Sequence, residues 1–410
     1  KIADTDTPIP GSTENFHGFP VVVDIAPEIS NGNVTFFDWG DSPLGIYSWD
    51  GHVISVVADE NTIAPESSSS FTNPCCASIR GDRLFFSNTV DDIGALYDYV
   101  NGTFSKIVDS NATVPGETVT FESVGGFIGL IDNSPAFVGI HGPDIFNFTF
   151  GIFVGTSNSD IQKIVQEGDS APGGSETFTN LRQELAAGGQ HAYFLANQSN
   201  GVSGIYRGNV GNVEKIAISG DSIPGMSETF DGFNNFPSPV QLNGGAQGVV
   251  FGAVDSNFDS GIFRYADGSI VKLVDENSDF PVSPTANVTL AMFSASGENL
   301  VFRSFVNDDP VFSDILFIDV GNGIERLIGS GDQLDGKTVS AGLIGPNAMD
   351  GNEIVFVAAF EDFSQGVYVA HLEIANTIEP SPRQIPIPVF ALLAASIAFV
   401  SVANMRRDFC

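Results

Sequence analysis

Cysteine is nearly absent from this chain: Cys75 and Cys76 stand side by side, Cys410 closes the sequence, and there is no fourth. That arrangement excludes a disulfide framework and the CxxC spacings of zinc or haem sites. The adjacent pair reads as two small buried residues, with a strained vicinal disulfide as the alternative. Positive charge is equally scarce. Lys plus Arg number 16 against 50 Asp plus Glu, a formal net charge of −34. Such a surface excludes nucleic acid as a partner and repels anionic lipid headgroups. It suits salty or calcium-containing surroundings, or serves solubility alone. Methionine (4) and tryptophan (2) are rare.

What is present is glycine (45), proline (22) and phenylalanine (35), with 42% hydrophobic residues over 410 positions. The hydrophobic content rules out disorder. Abundant Val, Ile, Phe and Thr between Gly and Pro point to short strands joined by tight turns, an all-β chain.

One line recurs. GIYSW, ALYDY, GIFVG, GIYRG, GIFRY, ILFID and GVYVA begin at 45, 95, 151, 204, 261, 315 and 366, steps of 50 to 57 residues. That spacing fits propeller blades. Each is preceded by a strand such as VTFF ending at Phe37, AYFLA around Phe194 or IVFVA around Phe356. Those runs read as strands buried on both faces. Each but the last is followed by a third strand carrying a basic residue in most copies, as in SKIV from Ser105, QKIV from Gln162 and EKIA from Glu214. The third strand leads into a Pro-Gly turn and then, on this reading, an outer strand whose first Phe packs between neighbouring blades.

The best-matched copies of that junction are KIVQEGDSAPGGSETF from Lys163 and KIAISGDSIPGMSETF from Lys215. The N-terminus, KIADTDTPIPGSTENF, aligns with the latter without a gap. The chain therefore starts halfway through a repeat, and after GVYVA it lacks the half that residues 1–19 supply. Complementary half-repeats suit a closed ring and have no use in an open solenoid. The expected architecture is a seven-bladed β-propeller over 1–372, with blades of about 20–73, 74–124, 125–181, 182–236, 237–290 and 291–345. The seventh is a split blade of 346–372 with 1–19, closed by N- and C-terminal strands. A start at Lys1 inside a repeat, with no Met or signal peptide, predicts a leader upstream of this stretch.

The GDSxPGxxETF segments, with LNGGAQGVVFGAV from Leu242, AAGGQHAYFLA from Ala186 and MDGNEIVFVAAF from Met349, resemble the bacterial choice-of-anchor tandem-repeat surface proteins, which carry NxxGxxAFxA-type repeats. The Asn and Gly positions have drifted, and the family's AF is usually VF or FF here. The resemblance implies an exported surface protein and no particular reaction.

Composition shifts after Leu372. Residues 373–388 are a Pro-rich linker, ending in IEPSPRQIPIP, stiff and extended. The stretch 389–410 is a hydrophobic tail: VFALLAASIAFVSVA at 389–403 is uninterrupted and apolar, and Arg406 and Arg407 follow. As a C-terminal hydrophobic helix the apolar run is about 22 Å long, short for a bilayer core of about 30 Å. Its basic end predicts a cytoplasmic C-terminus. Proline motif, apolar run and Arg pair are similar to exosortase-type C-terminal sorting signals. A plain membrane anchor and a helix buried in an oligomer are the other readings.

No HExxH, GxSxG or Walker spacing occurs. His17, His52, His141, His191 and His371 are scattered and read as ordinary surface or turn residues. Asp169, Asp221 and Asp332 occupy equivalent Gly-Asp positions in three repeats. They read as Asx-turn residues, with calcium at one or more as the alternative, since that ion gathers carboxylate and carbonyl oxygens. No other cofactor is expected. Six NxS/T sequons, at Asn33, Asn101, Asn111, Asn147, Asn197 and Asn287, matter only in a glycosylating source.

The functional expectation is a non-enzymatic secreted or cell-surface protein with a structural, adhesive or extracellular-matrix role. Its partners would be itself, other surface proteins or polysaccharide, with membrane contact through the tail. A carbohydrate-binding or carbohydrate-active propeller with its site at the central funnel is the alternative. A hydrolase or lactonase-like propeller with central calcium is the third.

Overall fold

The structure, a computed structural model, describes residues 1–20, 26–38, 45–72, 74–144, 147–233, 238–241, 247–308, 311–321 and 323–372. The linker, the hydrophobic helix, the tail and the side chain of Cys75 lie outside the described residues. Residues 1–373 form one compact unit. Among the described residues every regular element is a strand, and none is a helix long and apolar enough to cross a membrane.

The strands follow one plan, antiparallel and in chain order. The first sheet runs Glu28–Ser30, Asn33–Asp38, Gly45–Trp49, Ile54–Asp59, and the second Cys75–Arg80, Arg83–Val90, Ile93–Val100, Thr103–Asp109. An eight-stranded sheet follows. It consists of the four strands from Ser123–Ile131 to Gln162–Gln166 and the four from Phe178–Gly188 to Asn212–Ile218. A single parallel pairing, Gly129 with Ala187, joins the two sets. In the next sheet Phe230–Phe233 and Ser238–Gln241 both pair with Gln247–Asp255, followed by Ser260–Ala266 and Ser269–Asp275. Another four-stranded sheet spans Asn287–Ser296 to Ile324–Gly329.

The last sheet is the one the two chain ends share. Its order is Ala3–Asp4, Gln365–His371, Glu353–Phe360, Lys337–Leu343, Gln333–Leu334, and Met349–Asp350 pairs with the other end of Glu353–Phe360. Ala3 pairs with Val367 and Asp4 with Gly366, and the Ile2 amide donates to the Val367 carbonyl at 2.8 Å. Only these first few residues join that sheet. Residues 6–19 turn away and carry Phe16 and Phe19 onto the first sheet. The pairing covers the outer edge of Gln365–His371 from Gln365 to Val367, where an unpaired edge would invite association.

The reason the sheets stack is aromatic. In each of the first six copies a Phe from the turn after one sheet meets a parallel-stacked ring pair on the next, edge on. Phe16 lies T-shaped on Tyr47 at 4.9 Å, with Phe36 and Tyr47 stacked at 5.8 Å. Phe71 meets Tyr97 at 5.0 Å over the stacked Phe86–Tyr97 pair, and Phe178 meets Tyr206 at 5.0 Å over Phe194–Tyr206. Phe121, Phe230 and Phe280 repeat the contact on Phe153, Phe263 and Phe317. In the shared sheet Val339 stands at the Phe position, and Phe360 supplies the edge-on ring to Tyr368 instead. Edge-to-face geometry puts the positive rim of one ring on the negative face of another and adds about 0.5–1.5 kcal/mol beyond burial.

This placement corrects one expectation. The Phe does not begin an outer strand: the basic-residue strands are outermost, and the Phe leads into the strand that faces the axis. Sequence periodicity gives the order of strands but not which end of a sheet points inward. The middle strands are buried as expected; Glu353–Phe360 shows five consecutive buried residues.

Phe16 lies only 15 residues from Lys1 yet is fully enclosed, so truncating it should cost what a central core ring costs. Phe16→Ala is expected to lower unfolding free energy by about 3–5 kcal/mol, matching Phe178→Ala, as read from urea midpoints.

Candidate functional site

Strands of five sheets converge on one polar cavity of about 590 Å³: Glu28–Ser30, Cys75–Arg80, both Ser123–Ile131 and Phe178–Gly188 of the eight-stranded sheet, Asn287–Ser296 and Met349–Asp350. Its rim is made by the two-residue hairpin turns that leave those strands. Asn31–Gly32 and Asp132–Asn133 are left-handed at both positions, the geometry that matches strand twist and for which Asn, Asp and Gly are suited. The remaining described turns place a positive-φ Gly first: Gly81, Gly189, Gly297 and Gly351.

These turns are tied to one another. The Asn31 amide donates to Asp350 Oδ2 at 2.5 Å, and the Gly81 amide to Ser30 Oγ at 2.8 Å. Arg83 donates to the Asn133 carbonyl at 3.2 Å and the Asp132 amide to the Gly189 carbonyl at 2.6 Å. Arg264 reaches the Gly297 carbonyl at 3.5 Å, Asn299 the Gly351 carbonyl at 3.1 Å, and the Gly351 amide Ser296 Oγ at 2.8 Å. Among the described turns, every neighbouring pair around the cavity is tied by such a bond.

Glu28 is the node of this belt. It is 7% exposed, and four donors from two flanking sheets converge on it. Ser78 Oγ donates at 2.7 Å, the Ile79 amide at 3.0 Å and Arg80 at 3.3 Å to Oε2, while Asn347 Nδ2 donates to Oε1 at 2.8 Å. A buried carboxylate is tolerable only when its lone pairs are so occupied. Among the described lining residues there is no His, Cys or Lys, and the carboxylates are Asp132 and Asp350. The lining offers hydroxyl, amide and main-chain groups for hydrogen bonding a small polar solute, and no base beside a nucleophile. Sequence reasoning missed Glu28. Its partner Asn347 is 319 residues away, and no local spacing marks such a pair.

The three aspartates weighed for calcium are not brought together. Each sits in the turn after a different outermost strand, and each does the same job. Asp169, Asp221 and Asp332 accept the amides of Gln166, Ile218 and Gly329 at 2.8, 3.0 and 2.8 Å. Each also pairs with the basic residue of its strand, Lys163 at 2.8 Å, Lys215 at 3.1 Å and Arg326 at 3.0 Å. Elsewhere the carboxylate arises three positions earlier, with the same partner: Asp4 with Lys1, Asp109 with Lys106 and Asp275 with Lys272. The recurring basic residue of the third strand is thus a turn clamp. Among the described residues no three His, Cys, Asp or Glu side chains stand close enough to hold a metal ion.

The histidines are dispersed, as expected, but not all are superficial. His17 Nδ1 lies 3.0 Å from the buried Asp38 carboxylate, and His371 Nδ1 lies 3.0 Å from Glu353. His141, expected on the surface or in a turn, is 5% exposed within Ser134–Asp144, and its Nε2 has no hydrogen-bond partner. Burial, then the Arg207 charge, pull the His191 imidazole below its usual range.

Two outcomes test these roles. Glu28→Ala removes the acceptor of all four donors, Arg80 among them, and is expected to cost about 3 kcal/mol, with Glu28→Gln costing less; urea midpoints read both. Burial alone would raise the Asp109 carboxyl, but Lys106 and Asn158 outweigh it and hold it below the ordinary carboxylate range. A carboxyl lowered on folding stabilises above its unfolded value of about 3.9 and loses that contribution as pH falls through its folded value. The stability gap between the native chain and Asp109→Asn should therefore be full at about pH 6 and close below about pH 4.

An acylaminoacyl peptidase in complex with Z-Gly-Gly-Phe-chloromethyl ketone superposes with a TM-score of 0.50 at 10% identity, over 86% of this chain and 51% of that one. The Pyrococcus horikoshii acylaminoacyl peptidase gives 0.48 at 11% identity, over 86% and 51%. An oligogalacturonate lyase in complex with manganese gives 0.43 at 12%, over 83% and 86%. The chain thus spans about half the length of the peptidases. At this identity the likeness concerns fold alone, and the fold is all-β and propeller-like. No curated protein sequence matches the chain. A family profile matches residues 1–308, and the chain belongs to that family, one of unknown function designated DUF7453.

Proposed function

We propose that the protein is a non-enzymatic, exported scaffold: a seven-bladed propeller whose seventh blade is closed by both chain ends, serving a structural or adhesive role at the cell surface. The observation that carries this reading is the commitment of the cavity's Asp350 and of the buried Glu28 behind its wall to architecture. Asp350 accepts the amide of the Asn31 turn, and the buried Glu28, whose partners Ile79, Arg80 and Asn347 line the cavity, is bonded to both neighbouring sheets. Seven blades are supported by the division of the eight-stranded sheet at its lone parallel pairing into two sets of four. Export and surface attachment rest on the tail sequence, 389–403 with its Arg pair, and on the acidic balance.

The test has two arms. Class averages of the full chain by electron microscopy should show a ring of seven units; six or eight would overturn the architecture. Purified protein should give no turnover of peptidase, esterase and glycosidase substrates, and protease shaving of intact producing cells should release its fragments. Turnover abolished by Asp350→Asn, or a protein reached only after lysis, would overturn the role.

A further inference from the structure

Three hairpins that lead into the strands GIYRG, GIFRY and GVYVA share one turn. In each, the first residue's carbonyl accepts the amide three positions on, and its own amide donates to the carbonyl four positions on. Gln198 does this with Gly201 at 2.9 Å and Val202 at 2.8 Å. Asp255 does it with Phe258 and Asp259, both at 3.0 Å, and Phe360 with Phe363 and Ser364, both at 3.0 Å. The fourth residue of this turn is left-handed, which is why glycine suits it. Gly201 has φ 86°, and a side chain added there would meet open space. In the other two turns that position is phenylalanine, at φ 70° and 68°.

Both rings point into solvent, Phe258 76% and Phe363 95% exposed. A bulky residue in that backbone region is strained, and an exposed ring gains nothing from folding. Two positions thus bear two independent costs that glycine avoids in the equivalent turn. The rings are single platforms rather than a contiguous apolar patch, unlike the core of a protein–protein interface. Hydrogen-bonding groups flank each one. Asn257 and Asp259 adjoin Phe258, with Asn277 bonded to Asp259 at 3.2 Å; Asp362 and Ser364 adjoin Phe363, with Lys337 at 3.2 and 2.7 Å from them.

We infer that Phe258 and Phe363 form a contact face for a neutral polysaccharide, each ring stacking on the C–H face of a sugar while the adjacent amide and carboxylates take its hydroxyls. The charge on the chain selects the class of partner. At −34, with eleven of the sixteen basic side chains paired to carboxylates among the described residues, it repels uronate-rich polymers, anionic lipid and its own copies. Equivalent turns of one ring face the same side, so weak single contacts add along a repeating polymer. This inference rests on the scaffold reading above, and places the contact at hairpin tips, away from the central cavity.

The test uses the full chain, Phe258→Gly/Phe363→Gly and Phe258→Trp/Phe363→Trp. Affinity electrophoresis in dextran, arabinoxylan and β-1,3-glucan gels and pull-down on cellulose and chitin read binding, with polygalacturonate and phosphatidylcholine vesicles as comparisons. At least one neutral polymer should retain the native chain, tenfold or more weakly for the Gly pair and undiminished for the Trp pair. The thermal midpoint of the Gly pair should be unchanged or raised. Retention by no neutral polymer, retention that the Gly pair keeps, or an effect of the Gly pair seen only on vesicles or self-association overturns the inference. The Gly pair leaves the ring intact, so failure here is read by retardation and failure of the scaffold reading by the ring images.

Discussion

Everything in this fold depends on a phenylalanine handed from one sheet to the next. A four-stranded sheet of this size is apolar on both faces and cannot stand alone, because each face needs a partner to exclude water. The edge-on ring supplies that partner in a fixed orientation: Phe178 arrives on Tyr206 already positioned by the turn that Asp169 closes. The turn and the wedge are one device. The Lys–Asp clamp sets where the chain leaves one sheet, and the ring sets where it enters the next. Where the ring is missing, at Val339, Phe360 reaches the same spot from a different strand, which indicates that the contact rather than the residue is what the fold requires.

The polar belt at the cavity answers a second need. Aromatic wedges hold sheets side by side but tolerate sliding, since dispersion is not directional. Hydrogen bonds are, and those joining consecutive turns fix the register of the sheets around the cavity. Glu28 carries this furthest, linking the first sheet to both neighbours across the place where the chain ends meet. A saturated carboxylate of this kind rigidifies without offering chemistry.

Much of this was legible in the sequence, for physical reasons. The middle strands announce themselves because both their faces are buried, which leaves unbroken runs such as VFVA. The shared sheet was legible because half-repeats at both ends must find each other. The inward end of each sheet was not, since a strand's period is the same wherever it lies. Glu28 was silent because its partners are distant in sequence, and His141 because a lone buried imidazole leaves no pattern. Phe258 and Phe363 hid among many core aromatics. The available signal was comparison with Gly201, where the same turn takes the residue that its backbone favours.

The shared sheet also determines how the fold bears load. Any pull entering the chain beyond Leu372 is delivered to Gln365–His371, which is gripped on one side by seven paired residues of Glu353–Phe360 and on the other by the short Ala3–Asp4 segment. Tension along that strand loads all those pairs in shear at once, whereas tension across it peels them singly. The ring is therefore a clasp with a strong direction and a weak one, and its resistance to force is decided by the angle at which the chain departs.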